Sequence, residues 1–96
     1  MIAMIIKVKI DPANAETFEG LMRECRALVD ANEPSTLAYH LNRSPGEPGV
    51  YKAFEIYESE EAMKVHASGE GFKLLAPAVM ELMLEPPVTE RLVSIF

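Results

Sequence analysis

The fold is decided between Glu33 and Tyr57. Glu33-Pro34-Ser35-Thr36-Leu37-Ala38-Tyr39-His40-Leu41-Asn42-Arg43 is followed by the loop Ser44-Pro45-Gly46-Glu47-Pro48-Gly49 and then by Val50-Tyr51-Lys52-Ala53-Phe54-Glu55-Ile56-Tyr57. Glu33-Pro34-Ser35 is a turn signal. The two runs that follow alternate and are joined by a short Pro/Gly loop, which predicts an antiparallel hairpin. Ser59-Glu60-Glu61 predicts a helix start, because acidic residues are favourable near the positive end of the helix dipole. That helix carries His66, and Phe72 lies six residues further on.

Outward from this stretch, Ile2 to Ile10 alternates as a strand, with Ile2, Met4, Ile6, Val8 and Ile10 on one face and Ala3, Ile5, Lys7 and Lys9 on the other. Asp11-Pro12 ends it, with Asp11 placed to cap a helix and Pro12 at the first helical position. Phe18, Leu21, Met22, Cys25, Leu28 and Val29 form an amphipathic stripe that ends near Asn32. Cys25 lies on that stripe, so it reads as a small core residue rather than a nucleophile. After the hairpin, Ala62, Met63 and His66 share one helical side. Ser68 to Gly71 breaks the pattern, and Phe72, Leu75, Ala76, Val79, Leu82 and Met83 resume it. Pro77 predicts a kink, or a fresh first turn. Val88 to Phe96 is read as the last strand.

The order is βαββαβ, an α+β fold of ferredoxin-like type with an antiparallel sheet. Helices cover one face of such a sheet. All the strands carry apolar residues on both faces, so the open face calls for a partner, and a second copy of the chain is the simplest one.

The 96 residues leave room for a single domain, 1–96, and nearly half are apolar. A net charge of −6 and dispersed Lys and Arg argue against nucleic acid and against an anionic membrane surface. One cysteine excludes an internal disulfide and suits a reducing compartment, so a cytoplasmic location is expected. The N-terminal apolar run is too short for a signal peptide, and no stretch approaches the roughly 20 apolar residues of a membrane span. Two histidines and one cysteine are too few for a structural zinc site. Phosphate-binding glycine loops and Gly-x-Ser-x-Gly elbows are missing. No cofactor and no metal are expected.

His66 is the strongest candidate for chemistry, because histidine titrates near neutrality and serves as general base or acid. A half-buried histidine bonded to a nearby carboxylate or backbone group is the plainer alternative. Glu55 and Tyr57 share a strand face, where a carboxylate and a phenol in one cavity could orient a substrate hydroxyl. A cross-strand ion pair and a packing ring would explain them equally. Tyr39 and His40 must face opposite ways.

The motif Glu33-Pro34-Ser35-Thr36-Leu37-Ala38-Tyr39, the run Phe54-Glu55-Ile56-Tyr57-Glu58-Ser59-Glu60-Glu61-Ala62, then His66 and Phe72, resemble the antibiotic biosynthesis monooxygenase (ABM) family. That resemblance implies a dimeric α/β barrel with a pocket between sheet and helices in each protomer. It also implies a cofactor-independent monooxygenase acting on a small aromatic, quinol or polyketide-like substrate, which once deprotonated passes an electron to oxygen. His66 matches the family histidine, Glu55 the strand glutamate and Tyr57 the aromatic position after it. Many members have tryptophan where this chain has Tyr57, and glycine where it has Ser35. The missing tryptophan speaks against the related haem-degrading branch. It leaves open a non-catalytic small-molecule-binding dimer, or an isomerase of a small keto-sugar phosphate.

Overall fold

Strand β1 (Ile2–Lys9) takes an inner place in the sheet, where its two partly apolar faces are of most use. A computed structural model describes residues 1–96. In it β1 pairs antiparallel with β3 (Val50–Tyr57) on one side and β4 (Val88–Val93) on the other. Strand β2 (Thr36–Arg43) pairs antiparallel with β3, which gives the order β2-β3-β1-β4. Helix α1 (Ala15–Asn32) links β1 to β2, while α2 (Glu60–Ser68) and α3 (Glu70–Leu82) link β3 to β4. The fold is α+β and ferredoxin-like, as the element order predicts.

Local chemistry accounts for the element ends. The Asp11 side chain accepts from the Ala13 N–H at 2.9 Å and opens a single 3-10 turn, Pro12–Asn14, from which α1 continues. Ser59 caps α2 by accepting from the Ala62 N–H at 3.2 Å, an arrangement typically worth about 1 kcal/mol. The hairpin loop closes at Gly49, whose φ of +84° suits glycine. A Cβ there would lie 2.2 Å from the Ile10 carbonyl oxygen, so no other residue fits without moving backbone.

Between Thr36 and Ala38 the β2–β3 register shifts, placing a bulge at the start of β2. Beyond it Tyr39 stands opposite Glu55, and on the other side of β3 Met4 also stands opposite Glu55. Tyr39, Glu55 and Met4 therefore lie side by side on the helix-covered face. The core gathers at the other end of that face, where Val8, Ile10, Phe18, Tyr51 and Val79 are buried together. Cys25 is buried too, as its helix phase predicts, and burial pushes its thiol above the usual range.

Two expectations are corrected. Strand β4 ends at Val93 rather than Phe96, because its partner β1 begins at Ile2, directly opposite Val93. Of the two outcomes expected at Pro77, the fresh first turn does not occur, and helix α3 runs through Pro77 as one element. Pro77 and Lys73, whose carbonyl loses its partner, are both exposed, so water can serve that oxygen while Gly71 and Val79 hold the buried side.

Candidate active site

Two elements deliver the expected residues to one place. Glu55 and Tyr57, two apart on β3, face the helices and are buried. The cap at Ser59 sets the phase of α2 so that His66, in its last turn, faces the same end of the sheet. The His66 side chain is mostly buried, and its ring centroid lies 5.5 Å from that of Tyr57. The structure thus brings together Glu55, Tyr57 and His66.

A fourth residue, assigned above only to a turn, completes the group. Glu33 terminates α1, where its N–H bonds to the Val29 carbonyl, and its carboxylate turns inward and is buried. One of its oxygens lies 2.8 Å from His66 Nδ1 and accepts from the Thr36 hydroxyl at 3.1 Å. Gly69, between α2 and α3, makes room for it, since a Cβ there would come within 3.1 Å of the other Glu33 oxygen. An ionised carboxylate only accepts, so Nδ1 carries the hydrogen and Nε2 presents its lone pair. Nε2 is 3.9 Å from Glu55 Oε1, beyond hydrogen-bond range.

The two tyrosines behave differently. Tyr57 donates its hydroxyl proton to Glu55. Burial, reinforced by the negative charge of Glu55, pushes its phenol well above the usual range. Tyr39 meets the His66 ring edge-on at 5.3 Å, and burial followed by the Glu55 charge raises its phenol too. No hydrogen bond within the chain engages the Tyr39 hydroxyl, which leaves it as a protonated donor. His40 faces the opposite way and is exposed.

These side chains border a cavity of about 370 Å³, a size ordinary for a small-molecule site. Hydrophobic residues make up 18 of its 23 lining residues, among them Met4, Met63 and Phe72. Its polar lining groups are few: Glu55, His66 and the hydroxyls of Tyr39 and Tyr57, with Thr89 on β4. Such a space suits a flat apolar molecule with one or two polar atoms turned toward His66.

A second, more open cavity of about 550 Å³ lies between α1 and β2. It gathers Arg23, Arg26 and Arg43, which corrects the expectation that the basic residues are dispersed. Arg43 grips Glu19 through two bonds at 2.8 and 2.6 Å, and the Tyr51 hydroxyl donates to Glu19 at 2.6 Å. Arg43 foremost, then Tyr51, hold the Glu19 carboxyl down to about 2. Met22, Tyr39 and Leu41 line both cavities.

Sequence reasoning missed Glu33 and gave Tyr39 no role. A signal for Glu33 existed: an acidic residue at the end of α1 stands against the negative pole of the helix and needs another reason to be there. Tyr39 carried no comparable sign, because its freedom depends on what its neighbours fail to bond.

Comparison with known proteins agrees with this fold. The antibiotic biosynthesis monooxygenase family matches residues 1–77, most of the chain, and the chain belongs to that family. A Caulobacter crescentus CB15 protein, itself provisionally assigned as an antibiotic biosynthesis monooxygenase, is 39% identical with a TM-score of 0.95, over 99% of this chain and 90% of that one. A Nitrosomonas europaea protein with the same provisional assignment shares the fold, with a TM-score of 0.90 at 16% identity over 100% of both chains. A conserved protein of Methanosarcina mazei Go1 shares it as well, with a TM-score of 0.87 at 16% identity over 95% of this chain and 89% of that one. No curated protein matches the chain. No helix is long and apolar enough to cross a membrane.

Proposed function

We propose that this member of the antibiotic biosynthesis monooxygenase family is a cofactor-independent monooxygenase of a small aromatic, quinol or polyketide-like substrate. The observation that carries the reading is the Glu33–His66 pair, which points a free imidazole nitrogen at an apolar cavity beside Glu55, Tyr57 and Tyr39. His66 Nε2 takes the proton of a phenol or an activated CH₂, and the Nδ1–H bond to Glu33 steadies the imidazolium that forms. The Tyr39 hydroxyl donates to the oxygen on which charge develops. Tyr57 stays protonated and holds Glu55 in place. The apolar walls keep water away from the anion.

The electrons come from the substrate. The anion passes one to O₂, and the two radicals combine. Loss of water then turns a CH₂ into a carbonyl, so one oxygen atom enters the product and the other leaves as H₂O. The largely apolar lining disfavours the keto-sugar phosphate alternative, whose hydroxyls would be left without partners there. Oxygen uptake by purified, metal-free protein against a panel of hydroquinones and anthrones tests the reading. Uptake above the protein-free rate is expected, and none across the panel would sink it.

The reading includes a homodimer through the open sheet face. On that face Phe54 is 48% and Leu92 40% exposed beside Ala3, Ile5 and Ile56, an apolar patch of the kind that marks an interface. A dimer by sedimentation at micromolar concentration is expected. A monomer there would remove this part.

A further inference from the structure

The arginine-lined groove between α1 and β2 has no part in the chemistry above, and its composition departs from that of the chain. The protein carries a net charge of −6, yet three of its four arginines lie on this groove. The helical spacing of Glu19, Met22, Arg23 and Arg26 puts them on one side of α1, facing β2. Arg26 is committed to structure: it holds Asp30 through two bonds at 3.0 Å and donates to the Tyr39 carbonyl at 2.8 Å. Arg43 gives one edge of its guanidinium to Glu19 and keeps the other edge free. Arg23 is the least engaged, with a single 3.5 Å contact to Glu19 and 74% of its side chain exposed. Glu19 is the sole carboxylate on the groove and is already shared by two arginines and a tyrosine.

The groove also lies directly against the apolar cavity, with Met22, Tyr39 and Leu41 as their common wall. A molecule with its ring beside His66 has this groove as its neighbour on the far side of Tyr39. We propose that the groove is the subsite for a carboxylate on the substrate, so that the enzyme acts on aromatic acids rather than neutral aromatics, with Arg23 and Arg43 as the recognising groups. Guanidinium groups with an unused edge suit the planar, two-oxygen geometry of a carboxylate, and they remain charged at any working pH. Recognition of this kind costs the apolar cavity nothing, because the charge stays at its wet end.

This assignment rests on the small-molecule reading of the cavity but not on turnover, so binding tests it separately. Dissociation constants of 2-naphthoate and its neutral methyl ester, measured by calorimetry on the wild-type protein, should favour the acid by about three- to tenfold, the scale of a solvent-accessible ion pair joined by a hydrogen bond. Added salt should narrow that gap. Arg23→Gln should weaken the acid while leaving the ester unchanged, and Arg23→Lys should restore part of the difference. Arg23 is exposed on a helix, so both variants should melt with the wild type. Equal affinity for acid and ester, an equal loss of both on Arg23→Gln, or no binding of either would overturn the proposal. A clear preference for the acid in a protein that takes up no oxygen would keep the subsite and reject the oxygenase.

Discussion

Strand β3 carries a tyrosine near each end, and each is bonded to a glutamate, but the two ends do different things with the same pair. At one end Tyr51 donates to Glu19, and Arg43 supplies the positive charge. At the other Tyr57 donates to Glu55, and the nearby basic group is His66, itself held by Glu33. Arginine does not give up its proton, so the first cluster keeps one charge state near neutral pH and serves as a clamp joining α1, β2 and β3. Histidine can exchange a proton near neutral pH, so the second cluster has a part that can work. The difference between a clamp and a site lies in the basic partner, not in the Glu–Tyr pair.

Breaking the working end should have the largest effect. His66→Ala is expected to lower turnover by about 10²–10⁴-fold, the usual worth of a general base, with the fold retained. Turnover and melting temperature measured on one sample check this. Activity per folded molecule that survives the change would make His66 a structural residue.

Glu33→Gln sharpens the comparison without removing a hydrogen-bonding group. A glutamine can accept or donate, so the imidazole loses its fixed tautomer. Turnover is expected to fall by about tenfold to a hundredfold, less than the loss of the general base itself. In the wild type, ¹⁵N spectra of His66 should show the hydrogen on Nδ1, and in the variant a mixture. An unchanged ¹⁵N pattern would mean that Glu33 does not set the tautomer.

The smallest effect is expected at the clamp. Glu19→Gln should cost about 1 kcal/mol of stability, since its partner Arg43 is largely exposed and solvent weakens the pair. The Glu19 carboxyl titrates near 2 in the folded protein, against an ordinary value of 4.5. Its stabilisation is therefore complete above pH 4.5 and is lost as the pH falls toward 2. Denaturant unfolding of wild type and variant should converge across that window. A constant gap would assign the stability to packing rather than charge.

The fold was legible because the signals that set it are local. Alternation in Ile2–Ile10 and in the hairpin, the cap at Ser59 and the stripe through Phe18 and Val29 each stand in a few consecutive residues. That Glu55, Tyr57 and His66 lie together was legible for the same reason: strand alternation and helix phase place them. Glu33 was not, because its role depends on His66, 33 positions away, and on the gap left at Gly69. The arginine groove was missed because Arg43 comes to Glu19 from across 24 residues. The limits of β4 were not legible either, since they are set by where β1 begins.

The bulge at the start of β2 has a further consequence for how this protein can change. Strand residues alternate sides, so Thr36 and Ala38 would share a side in a regular strand. With the surplus residue, Thr36 stands opposite Tyr57 on the helix-covered side, and Ala38 opposite Ile56 on the open side. Because Leu37 is held in the bulge and not paired, Thr36 keeps the side from which its hydroxyl reaches Glu33. Deleting Leu37 would leave a regular ladder with Thr36 still opposite Tyr57 and Tyr39 still opposite Glu55, whereas pairing Leu37 regularly would turn Thr36 out. The bulge thus absorbs a change of chain length at this point, and the register of Thr36 and Tyr39 is the same with or without Leu37.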